Sequence, residues 1–276
     1  MTINDWIQQS PLPRLESRML LQAVLGLSSA QIVTHSEDKL SDDALNRLNT
    51  LQQRRLNGEP MAYILGEREF YGRVFCVNQS VLIPRPETEL LLETALFRLP
   101  ETPAIVWDLG CGSGILAISL KLQRPDCTVW ASDISDNALK IAQKNAQRLQ
   151  AAIEWTQGNW YDCFRLPEKN SVDIIISNPP YIAGDDAHLT QGDLRFEPQN
   201  ALTDFADGLT AYRTLINGAG RFLKNDGEIW LEHGFNQAAD IRQMLKNASF
   251  DNIQTLTDLA GLERVTGGIW QPVQAA

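Results

Sequence analysis

The sequence predicts an α/β protein in which a mainly parallel sheet of seven strands is wrapped by helices and preceded by a small all-α bundle and a β-hairpin linker. Three observations carry this expectation. After Pro103, strand-length apolar runs alternate with amphipathic helical stretches, the pattern of a parallel sheet with helical crossovers. Before Asn57 the apolar residues recur only at helical spacing. Between the two regions, short β-like runs are separated by turn residues.

In the first region, Leu15, Met19, Leu20 and Leu27 form one stripe, and Ala44, Leu45, Leu48, Leu51 and Leu56 another. Ser41-Asp42-Asp43 reads as a helix cap, and Gly58 with Pro60 as a stop. Arg54 and Arg55 close the last long helix, where positive charge complements the helix dipole, and read as surface charge. Runs 69–71, 73–77 and 81–83, broken by Gly72 and Asn78-Gln79-Ser80, form the hairpin linker. Pro84-Arg85-Pro86 introduces an amphipathic helix over 87–99, with Leu90, Leu91, Thr94, Ala95 and Leu96 on its inner side.

Strands are then expected near 104–109, 127–132, 152–156, 172–177, 228–233, 251–257 and 264–270, and helices near 114–123, 135–149, 208–223 and 235–248. Roughly 30 residues, 178–207, separate the fourth strand from its helix, well above the usual short connection. Ligands bind at the C-terminal ends of such strands, so this loop is expected to be functional. The chain therefore divides into 1–66, 67–86 and 87–276.

With 276 residues and 43% hydrophobic content, the chain can bury a proper core. The net charge of −10 divides into −1 over residues 1–80 and −9 over the rest. That argues against a protein that chiefly grips a phosphate backbone, which takes clustered Lys and Arg. No apolar run approaches the ~20 residues of a membrane span. The N-terminus shows no basic leader, so the cytoplasm is expected. Cys76, Cys111, Cys127 and Cys163 lie far apart with no nearby His, which predicts reduced thiols and no metal site.

Asp108-Leu109-Gly110-Cys111-Gly112-Ser113-Gly114 stands between the first strand and its helix. Its G-x-G-x-G spacing is not the dinucleotide G-x-G-x-x-G, and no Lys follows as in a P-loop. Asp133, 19 residues after Gly114, ends the second strand where a carboxylate typically accepts from ribose hydroxyls. Its bland alternative is a cap on the helix from Ser135. Together the two features suggest a nucleoside-bearing cofactor without a bound phosphate, which describes S-adenosyl-L-methionine.

An apolar strand then runs into Asn178-Pro179-Pro180-Tyr181. The prolines remove two N–H donors and stiffen the turn. Asn178 supplies an amide oxygen acceptor, the carbonyls of the turn supply others, and Tyr181 supplies an aromatic face. Such a group suits a planar N–H2, held by its two hydrogens with the nitrogen lone pair aimed at an electrophilic methyl. The bland alternative is a rigid turn closing a strand.

These motifs resemble the class I S-adenosylmethionine-dependent methyltransferases that methylate amino groups, which have a Rossmann-like catalytic domain. The resemblance narrows with Gly58-Glu59-Pro60, Ile64-Leu65-Gly66, Glu69-Phe70, Leu82-Ile83-Pro84-Arg85-Pro86-Glu87-Thr88-Glu89, Arg195-Phe196-Glu197-Pro198 and Leu231-Glu232-His233-Gly234. Together they are similar to the bacterial peptide chain release factor glutamine methyltransferases, over nearly the whole chain to Glu263-Arg264-Val265. Asn-Pro-Pro-Tyr alone is shared with adenine-N6 methyltransferases.

The resemblance implies N5-methylation of the glutamine in the Gly-Gly-Gln motif of release factors. It assigns Gly110, Cys111, Gly112, Ser113 and Gly114 to the methionine part of the cofactor, Asp133 to its ribose and Trp160 to its adenine, with Asn178 also at the cofactor. Many members carry an acidic residue where Asn159 stands. Asn178, Pro179 and Tyr181 are the expected catalytic residues, and these three with Pro180, Arg85 and Glu197 the expected substrate site. Arg195 is a further candidate at the glutamine entrance. No general base is evident: His35 lies in the helical region, His188 and His233 read as structural or solvated, and Glu232 reads as a loop-orienting residue. Residues 1–66 would recognise the whole release factor, and the enzyme would act as a monomer without direct nucleic-acid binding. The rival readings are adenine-N6 methylation of nucleic acid, disfavoured by the charge and by the lack of an aromatic-rich basic groove, and a protein-binding module with an empty cofactor pocket.

Overall fold

The computed structural model describes residues 1–272. Met1–Glu67 forms one unit, and a second begins at Arg68. The first holds five helices, α1 (Ile3–Gln9), α2 (Arg14–Leu25), α3 (Ser29–Thr34), α4 (Asp42–Leu56) and α5 (Met61–Leu65). Thr2 and Ser28 close capping boxes, and the Ser41 hydroxyl accepts from Ala44 N–H at 3.2 Å, as the sequence predicts for α4. Ile3, Trp6, Leu20, Leu21, Leu48 and Ile64 form the core of this unit.

Two expectations change here. Leu15 and Leu56 are exposed, because the inner stripe of each helix is narrower than the apolar residues on it. Arg54 and Arg55 are not loose surface charge. Arg54 pairs with Glu59 at 2.6 Å, and Arg55 reaches Glu16 on α2 at 2.9 Å.

The hairpin is β1 (Glu67–Phe70) and β2 (Arg73–Cys76), turning at Tyr71-Gly72, with Phe70 and Phe75 buried in the core of the second unit. Residues 81–83 form no strand. Val81 and Ile83 bury their side chains from irregular backbone, so burial rather than pairing explains the apolar run. The remaining elements are α6 (Thr88–Arg98), β3 (Ile105–Leu109), α7 (Ile115–Gln123), β4 (Thr128–Asp133), α8 (Asp136–Leu149), β5 (Glu154–Asn159), β6 (Asp162–Cys163), β7 (Val172–Ser177), α9 (Gln199–Leu202), α10 (Thr210–Ala219), β8 (Leu223–Glu232), α11 (Ala238–Asn247), β9 (Phe250–Thr257) and β10 (Glu263–Trp270).

All seven expected strands lie in one sheet of order β6-β5-β4-β3-β7-β8-β10-β9. Strands β5, β4, β3, β7 and β8 are parallel, and β10 runs antiparallel between β8 and β9. The two-residue β6 adds an antiparallel edge that is too short to carry a sequence pattern. Central strands are covered on both faces, hence their continuous apolar runs. Leu91, Leu116, Ile118, Val106 and Ile174 pack on one face, and Trp107, Ile175, Tyr212, Leu215 and Ile229 on the other. Strand order reverses at β3, which lies between β4 and β7, and this opens a crevice at the C-terminal strand ends.

Candidate active site

The crevice begins with the glycine loop after β3. Gly110, Gly112 and Gly114 have φ of +76°, +53° and +81°, a region that costs a side-chain-bearing residue about 1–2 kcal/mol. Gly110 N–H and Cys111 N–H both donate to the Ser132 carbonyl, at 2.8 and 2.9 Å, folding the loop against the end of β4. Behind it, fully buried Asn145 staples the hairpin to the loop: its oxygen accepts from Cys76 N–H at 2.7 Å, and its amide donates to the carbonyls of Cys76 and Ser113.

Asp133 takes the loop-holding role, and Ser135 takes the cap. Asp133 Oδ2 accepts from Gly112 N–H at 2.9 Å and Oδ1 from Ser135 N–H at 2.8 Å, while the Ser135 hydroxyl accepts from Ala138 N–H. A carboxylate has about four acceptor positions, so two remain for a ligand. Burial raises the Asp133 pKa, against the N–H donors of Ser135 and Gly112. Asp108, fully buried beneath the loop, accepts from Ala117 N–H at 3.2 Å, and its other oxygen has no partner. Burial pushes its carboxyl up to about 7. Burial likewise holds the Cys111 thiol above its ordinary range.

A cleft of about 940 Å³, counted out to open solvent, lies over the loop. Gly110, Cys111, Gly112, Ser113, Asp133, Trp160, Asn178, Pro180 and Arg85 all line it, as do Asn159, Thr88, Leu82 and Asn200. Trp160 sits at φ +54° with its carbonyl accepting from the Cys163 thiol at 3.0 Å. Its indole lies over Gly110, where a Cβ would stand 3.2 Å from Cζ3. Gly114 does not line the cleft. A Cβ there would meet Ile118, Ala142 and Trp155, so its smallness serves the packing of α7 on α8.

Asn178 follows β7 directly, and its Nδ2 donates to the Thr88 hydroxyl at 3.3 Å. Pro180 lines the cleft, while its chain neighbours Pro179 and Tyr181 are buried and half-buried. Among the described residues no backbone N–H donates to the Pro179 carbonyl. The Tyr181 carbonyl accepts from Gln237 Nε2 at 2.9 Å, and burial pushes its phenol up to about 12. Arg85 pairs with buried Glu197, whose other oxygen accepts from Ile83 N–H at 2.9 Å. Glu197 thus clamps the 178–207 loop to the chain before α6 and does not face the cleft. Exposed Arg195 lays its guanidinium over the Phe196 ring.

The histidines find structural partners. His188 is exposed and contacts Asp186 at 2.7 Å. His233 is buried between the Gly234 carbonyl and the Thr266 hydroxyl, both at 2.8 Å, and burial lowers its pKa, which keeps it neutral. Sequence reasoning missed Asn145 and Gln237, which carry no local signal, and Thr88, which lies within the quoted Pro-Glu-Thr-Glu segment. Among the described residues no group of three or more His, Cys, Asp or Glu could hold a metal, and no helix is long and apolar enough to cross a membrane.

Comparison with known proteins gives the family and the fold. The methyltransferase small domain family matches residues 86–196, and the PrmC N-terminal domain family matches residues 7–66. A release factor glutamine methyltransferase from Neisseria gonorrhoeae is 54% identical over 97% of this chain and 97% of its own length. One from Bordetella pertussis is 48% identical over 96% and 98%, and one from Escherichia coli 39% over 95% and 94%. Two solved structures share the fold. A methyltransferase from Pyrococcus furiosus aligns with TM-score 0.56 at 14% identity, over 82% of this chain and 100% of its own. A 16S rRNA methyltransferase from T. thermophilus in complex with AdoMet and guanosine aligns with TM-score 0.53 at 19% identity, over 74% and 50%.

Proposed function

The chain belongs to the release factor glutamine methyltransferase family, and we propose that it transfers a methyl group from S-adenosylmethionine to the side-chain amide N5 of the glutamine in the Gly-Gly-Gln motif of peptide chain release factors. One observation supports this most directly: the cleft lined by the glycine loop, Asp133 and Trp160 is also lined by Asn178 and Pro180.

The cleft residues fit the cofactor. Open space stands where a Cβ of Gly112 would point, two acceptor positions remain on Asp133, and an indole closes one side. Gly110 to Ser113 would hold the methionine part, Asp133 the ribose, and Trp160 with Asn159 the adenine. When bound, S-adenosylmethionine supplies an electrophilic methyl group.

The protein's own task is to orient a weak nucleophile. An amide nitrogen shares its lone pair with the carbonyl, so the gain comes from holding it in line with the methyl. Asn178 Oδ1 and the Pro179 carbonyl accept its two hydrogens, and Tyr181 walls the amide plane. Both acceptors attract more strongly as positive charge develops on nitrogen, so their binding favours the transition state over the ground state. The methylated amide, strongly acidic at nitrogen, gives up one of its two protons to solvent. Arg85 and the 178–207 loop shape the entrance, with Glu197 holding that loop in place.

Residues 1–66 act as the recognition domain for the whole release factor, 67–86 as the linker, and 87–276 as the catalytic domain. The enzyme works in the cytoplasm as a monomer and does not bind nucleic acid directly; the net charge of −10 supports the last point. Labelled S-adenosylmethionine offered with a release factor, with the same factor lacking its Gly-Gly-Gln glutamine, and with DNA tests the proposal. Label should enter only the intact factor; label in DNA alone overturns it.

A further inference from the structure

The Asn-Pro-Pro-Tyr turn has a back wall, and that wall holds a carboxylate with no part in the chemistry above. Ser177 and Leu231 are register partners in the parallel pair β7 and β8, so Asn178 and Glu232 leave neighbouring strand ends side by side. Thr88, the first residue of α6, closes the wall and accepts from Asn178 Nδ2 at 3.3 Å. Thr88 and Glu232 are each 1% exposed. One Glu232 oxygen is buried without a hydrogen-bond partner. Burial pushes the Glu232 carboxyl up to about 7, while hydrogen bonds from Thr88 and Asn178 and the charge of Arg264, itself paired with Asp258 at 3.1 Å, favour its ionised form.

A buried carboxylate with one unsatisfied oxygen is a costly group to keep. What it contributes is direction. The Asn178 side chain ends in an oxygen and an N–H2 of almost equal size, exchanged by a half-turn. Ionised, as it is above about pH 7, the Glu232 carboxylate only accepts hydrogen bonds, and the Thr88 hydroxyl oxygen accepts here too. Against these two groups the N–H2 end of Asn178 belongs inward, and its oxygen is left for the cleft.

We propose that Glu232 is a positioning residue which, with Thr88, locks the Asn178 amide so that Oδ1 faces the substrate and selects the N–H2 end of the glutamine amide over its carbonyl end. The lock rests on the assignment of Asn178 as the acceptor for the substrate amide. A half-turned Asn178 would offer donors to donors and would favour the substrate oxygen at the position of attack. Glu232 thereby helps decide that nitrogen, not oxygen, meets the methyl.

The test uses the full-length enzyme, a purified release factor and labelled S-adenosylmethionine, with Glu232→Leu, Glu232→Gln, Thr88→Val and Asn178→Ala. Glu232→Leu should lower kcat about 10- to 100-fold, with KM for the factor and Kd for the cofactor within about threefold of wild type. Its melting temperature should hold or rise, because a buried carboxylate with an unsatisfied oxygen has been removed. Glu232→Gln, equal in shape and still carrying an acceptor oxygen, should recover part of the loss, and Thr88→Val should lower kcat with cofactor Kd unchanged. Full kcat in Glu232→Leu, a Gln variant no better than Leu, or joint loss of kcat and cofactor affinity overturns the lock. Asn178→Ala separates the two assignments. If it keeps kcat, the acceptor reading fails and the lock with it; if it loses kcat while Glu232→Leu does not, only the lock fails.

Discussion

Replacing Gly110 with Ala should cost stability and cofactor affinity by separable amounts. At φ +76°, a Cβ adds about 1–2 kcal/mol of backbone strain. The new methyl would also stand 3.2 Å from Trp160 Cζ3 and 3.6 Å from Cη2, so the indole must give way by a few tenths of an ångström. The Trp160 backbone cannot easily yield, since it is itself left-handed and its carbonyl is held by Cys163. Relief therefore falls on the ring, toward the cleft it lines, and such crowding costs about 1–3 kcal/mol more.

Gly72→Ala is the reference for this experiment. Its φ is +70°, no atom lies within 4 Å of its Cβ position, and it sits away from the cleft in the hairpin turn. Thermal unfolding without cofactor should show Gly72→Ala melting roughly 2–8 °C below wild type, and Gly110→Ala lower still. Calorimetric titration with S-adenosylmethionine should give a Kd raised about tenfold for Gly110→Ala, equivalent to about 1.4 kcal/mol, and unchanged for Gly72→Ala. If Gly110→Ala melts with Gly72→Ala and binds like wild type, the Trp160 contact does not shape the cofactor site.

Asn178→Ala should lower kcat about 10²- to 10³-fold while cofactor Kd moves little, as expected for an acceptor that works in the transition state; a collapse of cofactor binding would assign it elsewhere. Asp133→Ala should raise cofactor Kd at least about tenfold, since it loses both the proposed ribose acceptor and the Gly112 tie, and equal affinity in titration would remove Asp133 from the site. Asp108 sets a pH dependence: with a folded pKa of about 7 against an ordinary 3.8, the native state between those values keeps a proton the unfolded chain has released. Its contribution is full below pH 3.8 and is lost as pH rises through 7. Urea unfolding should show wild type losing about 2–3 kcal/mol relative to Asp108→Asn between about pH 5 and pH 8, and parallel curves would count against it. Removing residues 1–66 should leave cofactor binding intact but impair methylation of the whole release factor, and unimpaired methylation would deny that segment a recognition role.

Signals legible in the sequence are those written over a few neighbouring residues. Strands β3 and β7 announce themselves because a doubly covered strand must be apolar throughout. Gly110 and Gly112 are legible because only glycine takes a left-handed turn cheaply, and Asn178-Pro179-Pro180-Tyr181 because its prolines leave a turn with acceptors and few donors. A two-residue β6 is too short for any period, and residues 81–83 show that an apolar run can mark burial without pairing.

Sequence alone thus determined the α/β class, the glycine loop, the carboxylate that ends β4 and the Asn-Pro-Pro-Tyr turn, each a local rule of backbone sterics or periodicity. Tertiary structure alone decided what surrounds them. Glu197 meets Arg85 across 112 positions, Thr88 meets Asn178 across 90, and Asn145 meets Cys76 across 69. It also turned Gly114 and Glu197 away from the cleft and set Glu232 behind Asn178. The physical reason is the range of the interactions. Backbone conformation is set by near neighbours, whereas the partner of a buried polar side chain is fixed only when strands and helices far apart in the chain pack together.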